Sequence, residues 1–157
     1  MGDSIEGRHS SQLCEIMFLG EFIHTIDIKG RLTIPAKYRS VLADGVVVTR
    51  GFDRNLMLFS KDEWQALAGR ISQRPLSDQS VRAFRRRVFS GAVDLNPDKQ
   101  GRILLPQYLR DFAEINGEVV VAGNFNYLEI WGRNAWDGVR ESIESSDDAE
   151  RWADLGI

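Results

Sequence analysis

At 157 residues with 43% hydrophobic content, the chain is long enough to bury a core, and its length is that of one domain or two very small ones. A formal net charge of −3 at first speaks against a nucleic-acid partner, which normally selects an electropositive surface. The charge is unevenly placed, however: residues 1–16 carry Asp3, Glu6 and Glu15 against Arg8, residues 141–157 carry six acids against Arg151, and +4 remains for residues 17–140. A basic body between acidic ends is compatible with DNA binding. The single cysteine, Cys14, cannot form an intramolecular disulfide, and two histidines, His9 and His24, cannot build a Cys/His zinc set. With no apolar run near the roughly 18 residues of a membrane span and no basic-then-apolar leader, the expectation is a soluble, unexported protein without membrane partners, working in a reducing cytoplasm.

In chain order, residues 1–16 are polar and aperiodic, and Ile5-Glu6-Gly7-Arg8 spells a protease site, so this stretch reads as a tag or a disordered extension. Glu21 to Ile26 mixes apolar and β-branched residues into a strand that ends at Lys29-Gly30, where glycine supplies the positive φ of a tight hairpin. The chain returns as a strand from Arg31 to Ile34. Pro35 suits the first turn of a short helix with Tyr38, Val41 and Leu42 on its inner face, and Asp44-Gly45 ends it. Val46–Thr49 and Leu56–Phe59 read as two more strands around the polar turn Phe52-Asp53-Arg54-Asn55. Ser60-x-x-Glu63 is a capping box opening a helix with Trp64, Leu67, Ala68 and Ile71 on one face. Ser77 is then expected to cap a linker helix in which Val81, Phe84 and Val88 share one face, Arg82 and Arg86 share another, and Gly91 closes the helix.

From here the pattern repeats. Asp27-Ile28-Lys29-Gly30-Arg31 falls on Asp98-Lys99-Gln100-Gly101-Arg102, and Leu32-Thr33-Ile34-Pro35 on Ile103-Leu104-Leu105-Pro106, at a constant offset of 71. Val46-Val47-Val48 matches Val119-Val120-Val121, Gly51-Phe52 matches Asn124-Phe125, and Trp64 matches Trp136, whose helix continues with Val139 and Ile143. The division is therefore 1–16 tag or extension, 17–66 first repeat, 67–91 linker helix, 92–143 second repeat and 144–157 acidic tail. A unit of about 45 residues is too small to bury an adequate core alone. The expectation is a mainly β fold with short peripheral helices and internal pseudo-twofold symmetry, in which the strands of the two halves interlock.

The Asp-x-x-x-Arg turn is the most informative motif. Structurally, Asp27 can accept backbone N–H groups while Arg31 pairs with it across the hairpin, and Asp98 and Arg102 can do the same. Functionally, an arginine braced beside a glycine turn (Gly30, Gly101) is pre-organised to meet a phosphate or a guanine edge. Lys29, Arg31, Lys37 and Arg39 outnumber Asp27 across residues 24–39 for +3, and Lys99 accompanies Arg102 in the second copy. The run Arg82, Arg85, Arg86, Arg87 is a secondary basic cluster, equally readable as a solvated helix face, a phosphate contact or a contact with an acidic patch on a neighbouring subunit. His24 reads as a packed strand histidine, and Trp64, Trp131 and Trp136 as core or subunit contacts. No phosphate loop, Ser/His/Asp set or metal-spaced carboxylates appear, so neither catalysis, a cofactor nor a small-molecule substrate is expected.

Met17-Phe18-Leu19-Gly20-Glu21, the two Asp-x-x-x-Arg turns, Lys29-Gly30-Arg31-Leu32-Thr33-Ile34-Pro35 and Gly123-Asn124-Phe125 together resemble the MraZ family of bacterial transcriptional regulators, over residues 17 to about 143. The resemblance implies two AbrB-like domains in a swapped-hairpin β-barrel, ring-like homo-oligomers, and binding to short direct repeats upstream of the division and cell-wall gene cluster, usually as a repressor. The family's DNA contacts map onto Lys29 and Arg31 in the first turn and Arg102 in the second. Gln100 stands where the first copy has Lys29, and Asn96-Pro97 precedes the second turn, so the first turn is expected to be the stronger reader. A second reading is an AbrB-fold antitoxin whose acidic tail, with Trp152 and Leu155, binds a partner protein. A purely structural ring is a third.

Overall fold

The computed structural model describes residues 17–145 and 148–156, so the expectation of a tag or extension at 1–16 lies outside the described residues. Two copies of one unit follow each other. The first contains β1 (Glu21–Thr25), β2 (Arg31–Thr33), a 3-10 turn (Ala36–Tyr38), β3 (Val46–Arg50) and β4 (Leu56–Ser60). The second contains β5 (Val93–Leu95), β6 (Arg102–Leu104), a helix over Gln107–Phe112, β7 (Glu118–Gly123) and β8 (Leu128–Gly132). Helices α1 (Lys61–Ser72) and α2 (Gln79–Phe84) lie between the copies, α3 is the Gln107–Phe112 helix, and α4 (Arg133–Ser145) and α5 (Ala149–Ala153) end the described chain.

The halves interlock as expected. One antiparallel sheet runs in the order β1-β7-β8-β4-β3-β5, and β2 pairs with β6 in a separate two-stranded ribbon. Exchanging the halves leaves both arrangements unchanged. Only the β3–β4 and β7–β8 hairpins pair within a half; β1–β7, β3–β5, β4–β8 and β2–β6 all cross between halves. The pseudo-twofold relation is centred on the ribbon's middle pair, Leu32 opposite Ile103, both buried.

Strand alternation explains how this sheet is covered on both faces. Val46, Val48, Leu56, Leu58, Val119, Val121, Leu128 and Ile130 enter one central core with Phe18, Leu32, Ile34, Leu42, Ile103, Leu105 and Leu109. The opposite-facing residues need separate covers. Met57 and Phe59 meet Trp64 and Leu67 of α1, while Val120 and Trp131 meet Trp136 and Val139 of α4. Ser60 accepts the Glu63 N–H at 3.2 Å and caps α1, which continues to Ser72 and keeps Trp64, Leu67, Ala68 and Ile71 half-buried on one side.

Three local expectations are corrected. Pro35 leads into a 3-10 turn and not an α-helix; its tighter winding buries Tyr38 and Leu42 but leaves Val41 exposed. Asp78, not Ser77, caps α2, because its carboxylate reaches the Ser80 N–H at 2.9 Å while the Ser77 carbonyl receives Arg82 Nη1. Ile143 is exposed, since α4 packs on the sheet through Ala135, Trp136 and Val139 in its first half.

Candidate nucleic-acid interface

The two Asp-x-x-x-Arg turns have nearly identical bonding. The Asp27 carbonyl accepts the Gly30 N–H at 2.9 Å, its Oδ1 accepts the N–H groups of Lys29 (3.0 Å) and Arg31 (2.9 Å), and its Oδ2 accepts Arg31 Nε at 2.7 Å. In the second turn the Asp98 carbonyl accepts Gly101 N–H at 2.9 Å, Oδ1 accepts Gln100 and Arg102 N–H at 2.9 Å each, and Oδ2 accepts Arg102 Nε at 2.8 Å. One short carboxylate therefore organises the whole turn and holds its arginine. The Arg31 backbone N–H, opposed by partial desolvation and reinforced by the Arg31 guanidinium, keeps the Asp27 carboxyl below the usual range; Arg102 does the same for Asp98.

The ribbon places both arginines on one surface. Leu32 and Ile103 point inward, so alternation puts Arg31, Thr33, Arg102 and Leu104 on the other face. Arg31 is opposite Leu104 and Arg102 is opposite Thr33, which makes the arginines diagonal neighbours across the ribbon. Each ion pair engages Nε, and no described residue takes the remaining guanidinium nitrogens of Arg31 or Arg102. Lys29 and Lys99 are exposed at the turn apices, and Lys37 lies 5.6 Å from the centre of the Tyr38 ring.

Each turn is also clamped by the other half. Gly30 and Gly101 have φ of +88° and +75°, and a Cβ on either would meet an arginine side chain: Arg110 at 2.8 Å over Gly30, Arg39 at 2.7 Å over Gly101. Arg39 Nε donates to the Ile34 carbonyl at 3.2 Å and Arg110 Nε to the Leu105 carbonyl at 3.0 Å. The Gly30 carbonyl accepts the Leu105 N–H, and the Gly101 carbonyl accepts the Ile34 N–H. Arg110 was not anticipated from the sequence. The signal was nevertheless there, because the offset of 71 carries Arg39 onto Arg110.

The run of arginines after α2 does not form one basic face. A π turn over Arg85–Phe89 adds a residue to the helical repeat, so spacing of four no longer keeps Arg82 and Arg86 aligned. Arg82 donates to the Leu76 and Ser77 carbonyls, Arg85 lies over Phe89, Arg86 is exposed, and Arg87 donates to the Gly51 carbonyl at 2.8 Å. Arg87 also stacks on Phe112 together with Arg50 and Arg54, a cluster that sequence spacing does not reveal. His24 is half-buried in β1, and burial, then the Arg39 charge, lowers its pKa. Trp131 and Trp136 are core residues of the α4 cover. Among the described residues no His, Cys, Asp and Glu cluster has metal-binding geometry, and no helix is long and apolar enough to cross a membrane.

Comparison with known proteins matches this arrangement to one family. The family model described as "MraZ protein, putative antitoxin-like" matches twice in tandem, over residues 17–87 and 88–155. Curated relatives named Transcriptional regulator MraZ include that of Herpetosiphon aurantiacus, 51% identical over 127 residues, covering 81% of this chain and 89% of the relative. That of Roseiflexus castenholzii is 48% identical over 130 residues, covering 83% and 91%, and that of Halothermothrix orenii is 43% identical over 143 residues, covering 90% and 100%. With both halves matched and identity of this order over most of its length, the chain belongs to the MraZ family.

Proposed function

We propose that the chain is a sequence-specific DNA-binding transcriptional regulator, acting on the nucleoid in the cytoplasm as a ring-like homo-oligomer that reads short promoter direct repeats and represses the division and cell-wall gene cluster. The observation that carries this reading is the pair of carboxylate-braced turns, which set Lys29 and Arg31 beside Lys99 and Arg102 on one two-stranded ribbon. An antiparallel ribbon has the width of the DNA major groove, and an arginine held at Nε retains donors for guanine O6 and N7 or for phosphate. Arg39, which lies over Gly101 of the second turn, and the exposed Lys37 extend the cationic surface. The relatives' shared name, transcriptional regulator, supports the regulatory role.

Rotation-related subunits present the same face head to tail, so a ring can read direct repeats spaced near one DNA turn, about 10 bp. Avidity then compensates for the modest charge of each subunit. The first turn is taken as the principal reader, because its lysine stands next to the glycine at Lys29, where the second turn has Gln100 and carries its lysine one position earlier at Lys99. Fluorescence-anisotropy titration of promoter duplex by the native protein and by Arg31→Ala, over a salt series, tests the assignment. Arg31→Ala is expected to weaken binding and, where Arg31 meets a phosphate, to lower the salt slope by about one. Unchanged affinity and slope would remove Arg31 from the role. The exposed Trp152 and Leu155 on the acidic C-terminal segment favour a second reading, capture of a partner protein as an antitoxin would. Trp152→Ala would then abolish partner pull-down while leaving DNA binding intact.

A further inference from the structure

The two turns share their bonding but differ at the apex. Ile28 occupies the first position after Asp27, and Lys99 the same position after Asp98. Since the surrounding hydrogen bonds agree to within about 0.1 Å, the fold does not require either side chain. A β-branched residue is a poor choice for a turn apex, where Asp, Asn, Ser or Pro is favoured. Ile28 is nonetheless fully exposed at 100%, beyond any other exposed large apolar residue of the described chain; Leu155 follows at 73%. A lone exposed apolar side chain is ordinary on a protein surface, so exposure alone assigns nothing. What distinguishes Ile28 is its place: it sits at the tip of a rigid turn, between Asp27, which orders that turn, and Lys29 and Arg31, which supply its charge.

We infer that Ile28 is a specificity-determining residue that packs against the C5-methyl group of a thymine in the major groove. The inference rests on the DNA-binding reading above and adds a base to it. Of the groups that base edges present in that groove, the thymine methyl is the apolar one. Lys29 and Arg31 would bring the apex down onto the duplex, and an apolar tip rejects a position that offers only polar edges, since their hydrogen-bonding groups would lose water without replacement. Lys99 at the second apex has the opposite preference, so the pseudo-symmetric ribbon reads its two sides differently. A bound site is accordingly polar in direction, as a direct repeat requires and a palindrome does not.

The test selects duplexes from a random pool with the native protein, then replaces each thymine of the selected site singly with deoxyuridine, which removes only the methyl. Binding of the native protein and of Ile28→Ser is measured by anisotropy. One replacement is expected to weaken native binding by about threefold to fivefold, the scale of one buried methyl group, and to leave Ile28→Ser indifferent. Ile28→Ser should retain the native salt slope, because an apolar contact releases no counterions, and the native melting temperature, because serine suits a turn. A selected site without a fixed thymine, or a methyl effect of equal size in both proteins, would overturn the inference while leaving DNA binding intact. Failure of the native protein to enrich any duplex would overturn the DNA-binding reading itself, and this one with it.

Discussion

Single residues set the geometry of both turns, and the effects of changing them can be stated. Gly30→Ala places a Cβ in a left-handed backbone region and against the Arg110 guanidinium, so a loss of about 1–2 kcal/mol is expected from the backbone term alone. Calorimetry of Gly30→Ala in the native and Arg110→Ala backgrounds checks this: removing Arg110 should relieve the contact but not the φ penalty. Asp27 and Asp98 make a pH prediction. Their folded pKa values lie below the unfolded value of about 3.9, so the bracing is fully present above that value and is lost as pH falls through the lower folded values. Carboxyl titration by NMR should show both groups titrating below the ordinary aspartate value, and duplex binding at neutral pH should be insensitive to their titration. The bracing pairs were legible in sequence because donor and acceptor lie four residues apart. The Arg39 and Arg110 clamps were less so, because each depends on a turn from the other half of the chain.

At the scale of elements, local chemistry was the more readable part. The Ser60 cap, the one-sided face of α1 and the order of strands in each unit follow from spacing and from glycine and proline placement. Ser60→Ala should destabilise the protein by about 1 kcal/mol, read as a fall in melting temperature. An unchanged melting temperature would mean that packing of Trp64 and Leu67 alone holds the helix end. Where sequence reading went astray, tertiary context decided. Val41 has helical spacing with Tyr38, but the segment winds as a 3-10 turn while Tyr38 fastens itself to Leu19, its hydroxyl donating to the Leu19 carbonyl at 2.7 Å. The arginines after α2 look like one face only if the helix stays regular, and the π turn ends that regularity where Thr49 donates its hydroxyl to the Val88 carbonyl. Nothing in the spacing of Arg50, Arg54 and Arg87 announces a shared aromatic platform, because Phe112 comes from the opposite repeat.

For the whole molecule, the constant offset of 71 carried more information than any propensity, since it implied equal units too small to fold separately. Four of the six strand pairings cross between halves. A fragment of residues 17–91 should therefore lack cooperative unfolding as a monomer and gain sheet signal only at concentrations where two copies pair, each supplying the other's missing strands. Circular dichroism with analytical ultracentrifugation over a dilution series would reveal this; a folded, concentration-independent monomer would contradict it. The same crossing pattern also bears on synthesis. As the nascent chain leaves the ribosome, β1 has no pairing partner until Glu118–Gly123 is made, and β2 none until Arg102–Leu104. Only the β3–β4 hairpin can form early; the ribbon that clamps the two basic turns waits for Leu104 and the sheet closes on β1 only after Gly123, so the pairings of high contact order form in about the last third of synthesis. Until then the strands that later carry the ribbon are open edges, which makes this chain a candidate for chaperone protection during its own production.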